Sequence, residues 1–313
     1  MAAKTSVSLQ DLRFEHHPTG LGVSAPSPRL SWRFSARGDG QASTNQGWYQ
    51  GAYEIEIKRL DKTERAGNYK VQSKSNAFVP WPDAPLKPRE RVSVRVRAFG
   101  ATASEDHPPE PTEWTPWKDI EAALLSSQDW IAAPITFPER SDRAKIRPIR
   151  LRKVFRVPQL GKQLHGRLYT SALGWTSFHH RLQYQVHDVT HLLRDNGQEN
   201  TIAIEVASGQ YAGRLLWNDE YKFAFYGDRI AAFAQLEIRT EDQPMPDFVL
   251  ATDDTWESSL SPILSSSIYD GEELSLDLEE DQWADGRSQS TAWRPVEVLP
   301  LPETKLVADS FAL

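Results

Sequence analysis

The stretch RVSVRVRAF, residues 91–99, decides the fold class. Its side chains alternate between apolar and polar along the chain. The apolar face comprises Val92, Val94, Val96 and Ala98, and the polar face comprises Ser93, Arg95 and Arg97. Because successive side chains of a strand point to opposite faces, this period of two predicts an antiparallel strand with one face buried.

Comparable stretches lie on both sides of this strand, separated by turns rich in Pro, Gly and Asp. They are RLSWRFSA (29–36), AYEIEIKRL (52–60), YKVQSKS (69–75) and the closing TPWKDIEAAL (115–124). A polar, Pro-rich segment at 100–114 reads as a hairpin loop. Short alternating strands without helical stretches predict a fibronectin type III-like β-sandwich over residues 1–126.

A second set of strands follows a segment without periodicity, residues 124–148, which we interpret as a linker. The later strands are longer and are joined by longer loops, which predicts a jelly-roll sandwich over residues 127–313. They are IRLRKVFRV (149–157), GRLYTSAL (166–173), ENTIAIEVAS (199–208), DRIAAFAQLEIRT (228–240), DFVLAT (247–252) and WRPVEVL (293–299). One helical turn is predicted, at 188–197.

Composition limits the function. With 313 residues the chain suits two domains, and a net charge of −7 disfavours nucleic-acid partners and anionic membrane surfaces. The absence of cysteine excludes disulfides, thiolate metal sites and a cysteine nucleophile. The N-terminus has no apolar signal-peptide core and no stretch is long enough for a membrane span, so a cytoplasmic location is expected. A homodimer is compatible with these features.

Cofactor and metal motifs are missing from the sequence. There is no GxGxxG, Walker loop, HExxH or GxSxG, so we predict no cofactor. His187 and His191 have the spacing of a zinc pair, but a helix of one or two turns does not fix that geometry. We interpret them as part of a solvated turn and predict no metal site.

Several segments together resemble the non-catalytic N-terminal β-sandwich modules of the α-L-rhamnosidase family of glycoside hydrolases. The resemblance to the first module rests on GLGVSAPSPRLSWRF (20–34). The resemblance to the next rests on DWIAAPI (129–135), LRKVFRVP (151–158), LYTSALG (168–174), DVTHLL (188–193), GQYAGRL (209–215), TDDTW (252–256), IYDGEELSLDLE (268–279) and AWRPVEV (292–298). It implies the two-sandwich fold.

Two departures from the family matter for function. The family's catalytic barrel, which carries its acid and base carboxylates, is expected to be absent, so hydrolysis is not expected. A family hairpin is also missing, because residues 173–174 run directly into WTSFHHRLQY (175–184). A rhamnosidase-like chain without its barrel is similar to fungal hetero-Diels–Alder cyclases of tropolone–sesquiterpene biosynthesis.

The densest aromatic stretch is GQYAGRLLWNDEYKFAFYGD, residues 209–228. Such a loop can cover a flat, apolar ligand and polarise one of its oxygens, or simply pack on its own sandwich. Candidate substrate-binding residues here are Tyr211, Trp217, Tyr221 and Phe225, and candidate catalytic cations are Arg214 and Lys222.

Two further segments complete the predicted site. The missing hairpin should uncover surface beside Trp175, Phe178 and Tyr184, with His180 as a catalytic proton donor. The turn at 268–273 contributes Tyr269, Asp270 and Glu272, whose carboxylates suit acid–base chemistry, calcium binding or a structural turn.

Two functions from different classes follow. The first is a cofactor-free cyclase that joins two small hydrophobic substrates, for example a tropolone quinone methide and a sesquiterpene alkene, in a hetero-Diels–Alder reaction. The second is a non-catalytic L-rhamnose-binding module or an inactive rhamnosidase fragment.

Overall fold

Two compact units of nearly pure β structure make up the chain. The computed structural model describes residues 7–17, 19–36, 48–60, 66–101, 111–141, 146–160, 163–173, 181–195, 197–215, 223–240, 243–288, 290–301 and 303–309. The first unit comprises Met1–Leu125 with Ala308–Leu313, and the second comprises Ser126–Val307. The all-β class is therefore confirmed.

The first unit contains seven strands within its described residues. They are β1 (Val7–Phe14), β2 (Leu21–Val23), β3 (Leu30–Ala36), β4 (Tyr49–Arg59), β5 (Gly67–Gln72), β6 (Arg91–Ala101) and β7 (Lys118–Ala122). One sheet has the order β2-β7-β6-β4-β5, and β1 pairs with β3 in the other. The β2–β7 pair is parallel, whereas the other pairs are antiparallel.

The core of the first unit follows the alternation in its sequence. Val94 and Val96 of β6 lie opposite Ile57 and Ile55 of β4, and all four are buried. Trp32 packs edge-on against Tyr53 in the same core, with ring centroids 5.2 Å apart. The predicted strand at 91–99 and its buried apolar face are thus confirmed.

The second unit is built from the remaining strands. They are β8 (Ile135–Thr136), β9 (Ile149–Arg156), β10 (Leu164–Leu173), β11 (Arg181–Asp188), β12 (Glu199–Val206), β13 (Ala231–Thr240), β14 (Phe248–Ala251), β15 (Glu257–Leu260), β16 (Ile263–Ser267), β17 (Gly271–Leu274), β18 (Arg294–Pro295), β19 (Glu297–Val298) and β20 (Lys305–Ala308). One sheet runs β19-β8-β13-β10-β11-β20 with β14 beside β13, and another runs β12-β9-β15-β18.

Helical structure in the described residues is short. A single-turn α-helix, α1, spans Gly209–Ala212. The 3-10 helices span Ser127–Asp129, Thr190–Leu192, Leu276–Leu278 and Trp283–Asp285. The helical turn predicted at 188–197 is thus limited to the 3-10 helix Thr190–Leu192, where the amide of Thr190 donates to Asp188 Oδ1 at 3.0 Å.

Strand β13, in the centre of the larger sheet, is buried on both faces. Ala172 and Ala232 face the core between the sheets, together with Leu151 and Trp256. Because strand side chains alternate, Phe233 points the opposite way, where its ring lies 5.4 Å from that of Trp130.

Trp130 also corrects the predicted linker. Trp130, Ile135 and Phe137 are buried, and β8 pairs with β13 and β19. The segment from Trp130 to Phe137 is therefore part of the second unit. Periodicity does not reveal it because β8 is only two residues long and the buried side chains follow no regular spacing.

Candidate functional site

A short α-helix begins where β12 leaves its sheet. The chain passes through Ala207 and Ser208 into Gly209, whose φ of 51° favours glycine. Ser208 is buried and its hydroxyl donates to the carbonyl of Ile146 at 3.1 Å, while the Ala212 amide donates to the Ser208 carbonyl at 3.0 Å. These bonds fix α1 at the edge of the second unit.

A β-hairpin, formed by β16 and β17, lies beside α1. Its turn contains Gly271 with a φ of 78°, and the amide of Tyr269 donates to Ser267 Oγ at 3.2 Å. Across the hairpin, Ser266 Oγ donates to Glu272 Oε1 at 3.0 Å. The turn at 268–273 is therefore an ordered structural turn.

A cleft of about 380 Å³ separates α1 from this hairpin, and we call it the α1–hairpin cleft. Most of its lining is aliphatic or backbone, with two serines and two carboxylates among the side chains. The lining residues are Ala172, Glu205, Val206, Ala207, Gly209, Ser266, Ser267, Ile268 and Glu272. Volumes of this order are typical of small-molecule sites.

Arg214 links the two elements that border the cleft. Its Nη2 donates to Asp270 Oδ1 at 2.7 Å, and its Cζ lies 5.4 Å from the centre of the Tyr269 ring. The Arg214 side chain is only 10% exposed, whereas that of Asp270 is 55% exposed. Three residues of the predicted site, Arg214, Tyr269 and Asp270, are thus brought together.

The two carboxylates of the cleft are already engaged in hydrogen bonds. Glu205 Oε1 accepts from Arg150 Nε at 2.9 Å and from Ser261 Oγ at 2.6 Å. Glu272 accepts from Ser266. These bonds orient both carboxylates, and a ligand would reach the lone pairs that they leave unused.

Tyr211 and Phe225 lie in the segment around α1 but differ in exposure. Tyr211 is partly buried against the core, and a Cβ on Gly227 would clash with its hydroxyl, so it packs beneath the 224–227 segment. Burial, reinforced by the charge of Asp228, raises the pKa of the Tyr211 phenol. Phe225 is 59% exposed and stacks edge-on against Tyr226.

The structure places Tyr184, a predicted substrate-binding residue, away from the α1–hairpin cleft. It is 1% exposed, and its ring lies 5.0 Å from that of Trp130. This cluster lies on the face of the sheet opposite Ala172, which lines the cleft. Tyr184 alternates with polar residues in β11 and shares the buried face of Leu182, so the alternation in the sequence already indicates this inward position.

Six predicted site residues lie outside the described part of the chain. They are Trp175, Phe178, His180, Trp217, Tyr221 and Lys222.

The site residues that sequence reasoning missed are small or aliphatic. Ala172, Val206, Ala207 and Ile268 form much of the cleft wall, and none has a side chain associated with a particular chemistry. The available signal was the run of small residues at 207–209, between a strand and the aromatic stretch, where the backbone can approach a neighbour closely.

Metal-binding side chains do not cluster in the described residues. No group of three or more His, Cys, Asp or Glu is placed to hold an ion there. His187 Nε2 lies 3.2 Å from Thr170 Oγ1, and burial lowers the pKa of the His187 imidazole. None of the helices in the described residues is both apolar enough and long enough to traverse a lipid bilayer.

Both units of the chain match known domain families. Residues 9–126 match the family described as Rha78A-like, N-terminal immunoglobulin domain, and residues 169–312 match the family described as Alpha-L-rhamnosidase N-terminal domain. The chain resembles the N-terminal domains of α-L-rhamnosidases. The first unit, predicted as fibronectin type III-like, is thus immunoglobulin-like, a sandwich of the same architecture.

Curated relatives extend well beyond the matched region. The chain is 26% identical to an α-L-rhamnosidase of Formosa agariphila over 97% of this chain and 34% of the relative. It is 27% identical to an α-L-rhamnosidase of Streptomyces avermitilis over 83% of this chain and 26% of the relative. The chain therefore spans about a third or less of the length of these relatives.

Solved structures agree with this assignment. The native α-L-rhamnosidase of Aspergillus terreus is 35% identical, with a TM-score of 0.82 over 96% of this chain and 35% of that chain. The Streptomyces avermitilis α-L-rhamnosidase complexed with L-rhamnose gives a TM-score of 0.76 over 96% of this chain and 46% of that chain, at 20% identity. The latter likeness concerns the fold alone.

Proposed function

We propose that this chain is a non-catalytic, rhamnosidase-type pair of β-sandwiches that binds an L-rhamnosyl unit in the α1–hairpin cleft. L-Rhamnose is a 6-deoxy sugar, so it presents a methyl group as well as hydroxyls. The aliphatic walls suit the methyl group, and Ser266, Ser267 and the carboxylates suit the hydroxyls. The relatives named α-L-rhamnosidases support this ligand class.

Hydrolysis is not part of the proposal. A glycosidase needs one carboxyl group that is free to protonate the leaving oxygen and a second that attacks or activates water. In the cleft, Glu205 is held by Arg150 and Ser261, and Glu272 is held by Ser266. These carboxylates have structural partners, which favours binding over bond cleavage.

A titration with methyl α-L-rhamnoside tests the binding function. We expect saturable binding without release of methanol, weakened about tenfold or more by Arg214→Ala because the cleft border loses its charged anchor. Arg181→Ala, which removes an exposed arginine of β11, serves as the matched control. Absence of saturation, or equal affinity in the Arg214 variant, would contradict the proposal.

A second candidate is the cofactor-free hetero-Diels–Alder cyclase, and one observation favours it. The cleft walls are largely aliphatic, contributed by Ala172, Val206, Ala207 and Ile268, and such walls also suit a larger hydrophobic ligand. A cycloaddition needs orientation of two partners and one donor on the diene oxygen. Arg214, at the border of the cleft, is a donor that keeps its charge.

The cyclase is tested by incubating the protein with a tropolone quinone methide precursor and a sesquiterpene alkene. We expect one enantiomer in excess over the uncatalysed product, with formation reduced about ten- to a thousandfold in Arg214→Ala. Product identical in rate and stereochemistry to the protein-free reaction would exclude this function. The rhamnoside titration and the cycloaddition assay together separate the two candidate functions, since each uses a different class of ligand.

A further inference from the structure

A second cleft, on the four-stranded sheet of the second unit, is built from charged side chains. It measures about 210 Å³. We call it the polar cleft; its lining residues are Leu192, Arg194, Glu199, Asn200, Thr201, Ala284, Asp285 and Arg287. It shares no lining residue with the α1–hairpin cleft.

One wall of the polar cleft is fixed by Asn200. This side chain is buried; its Oδ1 accepts from the Arg194 amide at 2.8 Å and its Nδ2 donates to the Arg194 carbonyl at 2.7 Å. The segment carrying Leu192 and Arg194 is thereby held against β12. The Arg194 guanidinium takes no part in these bonds.

The other wall is the 3-10 helix Trp283–Asp285. It is bracketed by Gln282 and Gly286, both left-handed with φ of 58° and 70°. A Cβ on Gly286 would clash with Val154 Cγ2 of β9, so glycine permits this close approach to the sheet. The Trp283 ring lies 4.4 Å from the Arg150 guanidinium, which anchors the turn further.

Charged side chains of both signs line the cleft. They are Arg194, Glu199, Asp285 and Arg287, and all four are exposed. Within the described residues neither Arg194, Arg287 nor Asp285 forms an ion pair, whereas Glu199 pairs with Arg156 at 2.8 Å. Other groups hold the backbone of both walls, so a ligand would have to order only these exposed side chains.

We propose that the polar cleft binds a neutral, hydroxyl-rich ligand, namely one sugar unit. A sugar hydroxyl both donates and accepts, and it can use the arginine donors and the carboxylate acceptors together. An anion accepts from the arginines but cannot donate to the carboxylates, which also repel it. This site goes beyond the function proposed above because it uses different residues.

The test is ligand-observed NMR and calorimetry with D-glucose, D-galactose and D-mannose, compared with D-galacturonate. We expect at least one neutral sugar to bind with a Kd on the order of millimolar and more tightly than the uronate. Arg287→Ala should weaken this binding about tenfold, since a charge-assisted hydrogen bond is lost. Asp285→Asn, which keeps the side-chain shape, should weaken it as well.

One further variant makes the outcome specific. Arg181→Ala, at an exposed position of β11, should leave sugar binding unchanged. Preference for galacturonate, absence of binding by all three neutral sugars, or parental affinity in both Arg287→Ala and Asp285→Asn would overturn the proposal.

Discussion

The guanidinium of Arg214 reaches from the segment after α1 to the carboxylate of Asp270 in the hairpin turn, with 2.7 Å between Nη2 and Oδ1. The two residues are far apart in the chain but border the same cleft. Because the Arg214 side chain is largely buried and Asp270 is half exposed, the pair fastens a surface hairpin to a fixed donor.

Removing this link should loosen the hairpin. Asp270→Ala is expected to cost about 1 kcal/mol, the scale of a partly exposed ion pair. Amide hydrogen exchange of β16 and β17 should then accelerate by roughly fivefold, since that free energy corresponds to such a factor. Glu273→Ala, at an exposed neighbouring position, is the control; equal acceleration in both variants would argue against the link.

Trp130 should contribute strongly to the stability of the second unit. Its indole packs against Tyr169, Tyr184 and Phe233 and is 7% exposed. Trp130→Ala is expected to cost about 3–5 kcal/mol in the free energy of unfolding, measured with urea, because it leaves a cavity. Trp130→Phe should cost clearly less; a negligible effect of the alanine variant would refute this role.

The sequence predicts the first unit better than the second, for a physical reason. In β6, burial of one face imposes strict alternation, so the strand and its core residues are evident from the sequence alone. In β13, all ten residues are buried, so the face that each side chain occupies carries no hydrophobic signal.

The candidate site was predicted in part. Arg214, Tyr269 and Asp270 were selected from the sequence because charged and aromatic residues in loops often belong to functional surfaces. In the structure these three side chains are in contact. The walls at Ala172 and Ala207 could not be predicted, since small side chains carry no chemical signal and their role depends on which strands become neighbours in space.

The local stability of the segment that carries Trp293 should depend on its cation–π contact with Arg152 of β9. The Arg152 guanidinium lies 3.7 Å from the centre of the Trp293 ring, and Arg152 is buried. Trp293→Leu should cost about 1–2 kcal/mol and accelerate hydrogen exchange at 276–295. Trp293→Phe keeps a ring over the guanidinium and should lose less; equal losses would exclude the cation–π contribution.

Acid should lower the stability of the second unit by protonating the Glu279 carboxylate, which pairs with Arg150. Hydrogen bonds from the Arg150 guanidinium, opposed by partial burial, hold the pKa of the Glu279 carboxyl below its ordinary value of 4.5. The folded state therefore loses its proton more readily than the unfolded state, and the resulting stability is present above pH 4.5 and is lost as the pH falls through the lower folded pKa.

Unfolding measurements between about pH 5 and pH 3 test this dependence, since a carboxyl group titrates in that range. Glu279→Gln cannot titrate, so its free energy of unfolding should fall less steeply with acidification than that of the parent chain. Glu273→Gln makes the same substitution at an exposed position of β17 and serves as the control. Parallel curves for the parent and Glu279→Gln would show that this carboxylate contributes nothing to the pH dependence.

Filling the α1–hairpin cleft should block its ligand without unfolding the protein. Ala207 lines the cleft directly after β12 and is partly exposed, so a leucine side chain at this position would project into the cleft volume. Ala207→Leu should change the free energy of unfolding by less than about 0.5 kcal/mol, as expected for a substitution outside the core. Binding of methyl α-L-rhamnoside, or formation of the cycloaddition product, should fall at least about tenfold because the ligand and the added side chain compete for the same space.

Ala292→Leu adds the same side chain at an exposed position away from the cleft and should leave both measurements unchanged. Unaltered ligand affinity in Ala207→Leu would place the ligand of either candidate function outside the α1–hairpin cleft.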